Sequence, residues 1–270
     1  MSDSRAIGIF DSGVGGLTVA RAILDLLPSE PLVYIGDTAR FPYGPKPVEE
    51  IRRYALEIAE YLAGRDVKMI VVACNSVEVS AIGEVAAQAG LPVVGVIDPG
   101  VRAAVRATRN GRIGLIGTQA TVESGAYERA LSDTGSAAAL VSQACPAFVD
   151  FVERGDTTSG ELRAVAIDYL APLEDAGIDS LILGCTHYPL LSGVISDVVG
   201  PDVVLVSSAE ETAKDVYSLL IERGLDRRDG GPTHEFISTG DPEEFRSVAR
   251  HFLGPEISSV EGVELARVGR

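Results

Sequence analysis

The feature that most constrains this chain is a cysteine standing at the same point in two copies of one local pattern. Residues 69–76 read MIVVACNS, a largely β-branched run that ends in Ala73 and is followed by Cys74 and two short polar residues. Residues 180–187 read SLILGCTH, an apolar run and Gly184, then Cys185, Thr186 and His187. Runs this short suit strands buried on both faces, and a helical pattern follows each, so each cysteine is expected at a strand's C-terminal end. Ligands of open α/β sheets bind at that end. IGIF at 7–10 is echoed by IGLI at 113–116, an offset of 106 positions against 111 between the cysteines, as if one half had been repeated. The expected fold is therefore α/β, with two pseudo-symmetric domains, each a mostly parallel sheet flanked by helices, and an active site in the interdomain cleft.

Strands are expected over residues 6–10, 32–36, 68–73 and 92–97, and again over 112–117, 138–142, 180–184 and 203–206. Amphipathic stretches such as 48–63 separate them, which calls for right-handed βαβ crossovers. Asp98, Pro99 and Gly100 read as punctuation between domains. A tail with a helix over 209–223, the loop Gly230-Gly231-Pro232, the segment HEFIST and a helix near 243–252 exceeds what the second half needs. It is expected to pack back on the first domain, giving a first domain of residues 1–97 plus 207–270 and a second of 98–206.

A net charge of −16 and a pI near 4.6 argue against nucleic-acid binding and anionic membranes, both of which need basic surface. No apolar stretch is long enough to cross a bilayer, and MSDSRAIGIF carries no apolar signal core, so a cytoplasmic protein is expected. About five residues precede the first strand, which argues against an effector site built on an N-terminal extension. Three cysteines without a CxxC spacing suit neither a disulfide framework nor a zinc ribbon.

In FDSGVGGLTV, residues 10–19, Asp11 and Ser12 stand at the top of the first strand, and Gly13, Gly15 and Gly16 allow a tight turn. The loop is either a structural turn or a place where backbone approaches a ligand. It is not a dinucleotide fingerprint, since Thr18 occupies the third glycine position. In GDTARFPYGPK, residues 36–46, Tyr43 and Gly44 could offer a backbone N–H together with a hydroxyl, or simply lie in a surface loop. Cys74 and Cys185, taken singly, could be inert core residues; as a symmetric pair at helix N-termini they suit acid–base or nucleophilic work. Asn75, Ser76, Thr186 and His187 follow them as helix caps, as donors to a ligand, or as both. Cys145 has no such context and is read as core.

Together these segments resemble the aspartate/glutamate racemase superfamily, and within it the glutamate racemases. FDSGVGGLTV, GDTARFPYG, ACNS, CPAFVDFVE at 145–153 and GCTHYPLL at 184–191 occur in that family's order. The resemblance implies cofactor-independent racemisation of glutamate, with neither pyridoxal phosphate nor metal, supplying D-glutamate for peptidoglycan and so for cell shape. By motif position Cys74 and Cys185 are the two acid–base groups, with Asp11 beside Cys74, and His187 and Glu153 beside Cys185. Substrate binding falls to Asp11, Ser12, Tyr43, Gly44, Asn75, Ser76, Thr186 and His187. The family implies a homodimer, and by analogy alone admits DNA gyrase as a partner. The family usually continues Thr-Ala or Ser-Ala after Cys-Asn, whereas Val77 and Glu78 follow Ser76 here; a narrower or more acidic pocket and altered efficiency are expected. Competing readings are an aspartate racemase, a protein whose chief role is partner binding, and a thiol hydrolase using Cys185 and His187.

Overall fold

A computed structural model describes residues 3–228, 230–254 and 257–265; the remaining residues of the expected first domain, 1–2, 229, 255–256 and 266–270, lie outside the described residues. The chain packs as two compact units, residues 1–96 with 209–270, and residues 97–208.

In the first unit β1 (Ile7–Asp11) leads through a glycine loop into α1 (Leu17–Leu26), then β2 (Leu32–Gly36), α2 (Val48–Gly64), β3 (Met69–Val72), α3 (Asn75–Ala89) and β4 (Val93–Val94). The strands alternate strictly. Ile7, Ile9, Tyr34, Met69 and Val71 face one layer, while Phe10, Val33, Ile35, Ile70 and Val72 face the other. Both layers are apolar, as a sheet covered on both sides requires. Each fully buried Ile or Leu contributes about 1.5–3 kcal/mol through area removed from water.

The second unit runs α4 (Ile97–Ala107), β5 (Arg112–Gly117), α5 (Gln119–Glu123), α6 (Ala126–Asp133), β6 (Ala139–Ala144), α7 (Ala147–Glu153), α8 (Gly160–Asp175), β7 (Ser180–Gly184), α9 (Ser192–Val199) and β8 (Val204–Val206). The chain then returns to the first unit with α10 (Ala209–Arg223), β9 (Glu235–Ser238), α11 (Pro242–Leu253) and β10 (Glu261–Gly262). There α10 packs on α1, and β9 pairs with β2.

The sheet orders are β10-β9-β2-β1-β3-β4 and β6-β5-β7-β8, and every pairing is parallel. The second order repeats β2-β1-β3-β4 strand for strand.

Two expectations need correction. The strand expected over 92–97 is paired only at Val93 and Val94. Asp98, Pro99 and Gly100 do stand beside the division between the units, which falls after Val96, but they lie in the first turn of α4 rather than outside regular structure. Proline costs nothing there, because a first-turn N–H has no partner within the helix.

Candidate active site

Each cysteine lies just past the end of a buried strand of its own unit. Cys74 comes two residues after β3 and is the N-cap of α3, with an extended backbone at φ −86° and ψ 118°. The helix dipole and the orphan N–H groups of the first turn favour negative charge there. Its thiol is 3.6 Å from Ser12 Oγ. Asp11, fully buried at the end of β1, accepts hydrogen bonds on Oδ2 from the N–H groups of Gly13 (3.2 Å) and Gly16 (3.0 Å). Those bonds shape the glycine loop around the carboxylate. Asn75 and Ser76, also buried, open α3.

In the second unit Cys185 follows β7, but the helix behind it is not the α-helix expected. A 3-10 turn over Tyr188–Leu191 comes first, with His187 as its N-cap, and α9 follows. Pro189 in this turn has no N–H for a regular ladder. His187, 2% exposed, holds Glu153 Oε1 at 2.6 Å through Nε2 and faces Cys185 Sγ at 3.8 Å through Nδ1. A carboxylate accepts only, so this bond places a proton on Nε2, and Nδ1 is the ring nitrogen turned to the thiol. Thr186 is buried between them in sequence. Cys145 is fully buried, and burial pushes its thiol far up, as suits a core residue.

Tyr43 and Gly44 sit in the turn after a cis Phe41–Pro42 bond. The Tyr43 hydroxyl is not the free donor expected from sequence. It donates to Asp37 Oδ2, which also takes Arg40 Nε at 2.7 Å, while Thr239 donates to Oδ1 at 2.7 Å. Arg40 continues to the buried Glu57. Sequence reasoning missed Asp37, although GDTARFPYG contains it, because its partner Thr239 lies 202 positions away.

Val77 and Glu78 each have a structural partner of their own. Val77 is fully buried in the core layer of α2 and α3. Glu78 Oε2 accepts the Val96 N–H at 2.5 Å, and a Cβ on Gly95 would collide with its carboxyl group. The carboxylate thus holds the segment after β4.

Among the described residues, no group of three or more His, Cys, Asp and Glu side chains is arranged to hold a metal ion, and no helix is long and apolar enough to cross a membrane.

The profile of the Asp/Glu/Hydantoin racemase family matches residues 15–216. The chain belongs to that family. It is an enzyme, an amino-acid racemase and hence an isomerase. A glutamate racemase of Parafrankia sp. is 57% identical over 256 residues, covering 94% of this racemase and 92% of its relative. The crystal structure of a glutamate racemase isoform from Bacillus anthracis superposes with a TM-score of 0.92 at 41% identity, covering 97% of this chain and 99% of that one. A glutamate racemase from Francisella tularensis in complex with D-glutamate gives 0.90 at 37% identity, covering 97% and 98%.

Proposed function

We propose that this racemase interconverts L- and D-glutamate by a two-thiol mechanism that uses neither pyridoxal phosphate nor metal. Inversion at a carbon needs a base on one face and an acid on the other, because a group that removes the proton from one side cannot return it to the opposite side. Cys74 and Cys185 supply the two. The observation that carries this reading is the repeat in topology: equivalent strands β3 and β7 of two like-ordered sheets each deliver a buried thiol at the C-terminal end. The relatives' names and the D-glutamate in the Francisella structure support glutamate as the substrate.

One thiol enters the cycle as thiolate and the other as thiol, and the two exchange roles on turnover. His187, with its Nδ1 turned to Cys185 and its other nitrogen held by Glu153, takes and returns the Cys185 proton. Asp11 supports Cys74 from the adjoining strand. Asn75, Ser76, Thr186 and Ser12, with the backbone of Tyr43 and Gly44, bind the carboxylates and amino group. Donors of this kind stabilise charge that develops on the α-carboxylate as the proton leaves. D-Glutamate made this way feeds peptidoglycan and cell shape, and the enzyme works in the cytoplasm as a homodimer.

The test is L-glutamate incubated in deuterated water. The expected result is D-glutamate carrying α-deuterium, lost in both Cys74→Ser and Cys185→Ser, with L-aspartate left unchanged. Racemisation that survives either serine variant, or a D-product without deuterium, would overturn the mechanism.

A further inference from the structure

Near each thiol stands a fully buried tyrosine whose phenol is committed to a backbone carbonyl. Tyr34, on β2, donates to the Gly13 carbonyl at 3.0 Å. Gly13 directly follows Ser12, the hydroxyl neighbour of Cys74. Tyr188 follows His187 in the chain and donates to the Cys145 carbonyl at 2.8 Å. Its ring meets the edge of Phe148 on α7 at 5.5 Å and 89°, and the same helix ends in Glu153. The loop carrying Cys185 is thus tied to α7 at both ends, at the start through Tyr188 and at the finish through His187. Burial, with Asp11 and Cys74 for Tyr34 and with Cys185 and Cys145 for Tyr188, raises both phenols well above their ordinary range. Both therefore stay protonated donors whenever the thiols titrate.

We infer that Tyr34 and Tyr188 are a matched pair of positioning residues, one fixing the loop beside Cys74 and the other the loop beside Cys185. The inference rests on the two-thiol reading. Neither phenol touches substrate; each sets the reach of its own thiol, where a displacement near 1 Å can cost on the order of 100-fold in rate.

Tyr34→Phe and Tyr188→Phe keep the ring and delete the donor. Each is expected to lower kcat/KM by about 10-fold, the loss set by about 1.4 kcal/mol of misplacement. Rate alone cannot say which thiol suffers. The enantiomers have equal free energy in water, so kcat/KM must remain equal in the two directions for any variant. The primary isotope effect with α-deuterated L- and D-glutamate can say. Slowing one thiol makes proton removal more rate-limiting for the enantiomer it deprotonates, and less so for the enantiomer it only reprotonates. Tyr34→Phe should therefore raise the effect for one enantiomer and lower it for the other, and Tyr188→Phe should do the reverse.

Each variant is assayed well below its own melting temperature, and Tyr→Met replaces a Phe variant that does not fold. Isotope effects unchanged from wild type, or moved in the same sense by both variants, would overturn the inference. Wild-type enzyme that incorporates no α-deuterium would instead sink the two-thiol reading itself.

Discussion

Gly36→Ala adds one methyl group where the first unit has no room for it. A Cβ at Gly36, the last residue of β2, would stand 2.4 Å from the Gly13 carbonyl oxygen and 2.5 Å from Phe245 Cε2, against 3.4 Å or more for an ordinary contact. The ring can tilt, but the oxygen is backbone, so the loop after β1 must retreat by about 1 Å. Overpacking of this kind costs about 1–3 kcal/mol. The retreat also stretches the Tyr34 hydroxyl bond to the same oxygen, and a buried phenol left without its partner costs about 1–3 kcal/mol more. A total of about 2–6 kcal/mol is expected. Ser12 moves with the loop and away from Cys74, so kcat/KM should fall by about 10- to 100-fold. Urea unfolding at fixed slope measures the first effect, and circular dichroism of glutamate racemisation measures the second. A stability change under about 0.5 kcal/mol, the range of an indifferent surface substitution, together with unchanged kcat/KM would refute the packing argument.

Gly83→Ala is the matching control: it lies inside α3 with nothing within 4 Å of the added Cβ, and should stabilise by about 0.5–1 kcal/mol in the same urea assay. Lys68→Met should cost about 3–5 kcal/mol, because it strands the buried Glu30 carboxylate and removes the donor to the Asp3 and Leu225 carbonyls. Adding Glu30→Leu to that variant should recover part of the loss, and a double variant no better than the single one would count against a stranded charge. Asp179→Asn should flatten the acid side of the stability profile. Burial works against the Asp179 carboxylate, but the Thr108 hydroxyl and the N–H groups of Arg109 and Asn110 outweigh it and hold its pKa below the ordinary 3.8. Folded protein therefore binds fewer protons here than unfolded protein near pH 4, so this stability is present above that pH and is lost as pH falls through the folded value. Urea midpoints across pH 3–7 that keep the wild-type slope in the variant would contradict this.

What could be read from the sequence was what parallel sheets write locally. Strands buried on both faces appear as short apolar runs, so MIVV and SLIL placed both cysteines at strand ends, whereas HEFIST, which holds β9, was not read as a strand. Asp98, Pro99 and Gly100 stood beside the division between the units yet hid a helix start, because a helix's first turn tolerates the same residues that break a chain. The role of Glu78 was hidden by distance, since its partner Val96 comes 18 positions later. Tyr43 looked like a donor open to a ligand because the sequence does not show that its hydroxyl joins Arg40 and Thr239 on the Asp37 carboxylate. Side chains satisfied by remote partners leave no periodic trace.

The strand β9 lies beside β2 inside the six-stranded sheet, and α10 covers α1, yet both come from the last quarter of the chain. On the ribosome, residues 97–208 emerge as a finished sheet while β2 still has an open flank waiting for a partner that has not been made. An exposed flank of that kind recruits other chains. Truncation after residue 208 should therefore yield a product that aggregates rather than a smaller soluble protein, and nascent chains paused at that length are the ones most in need of a chaperone.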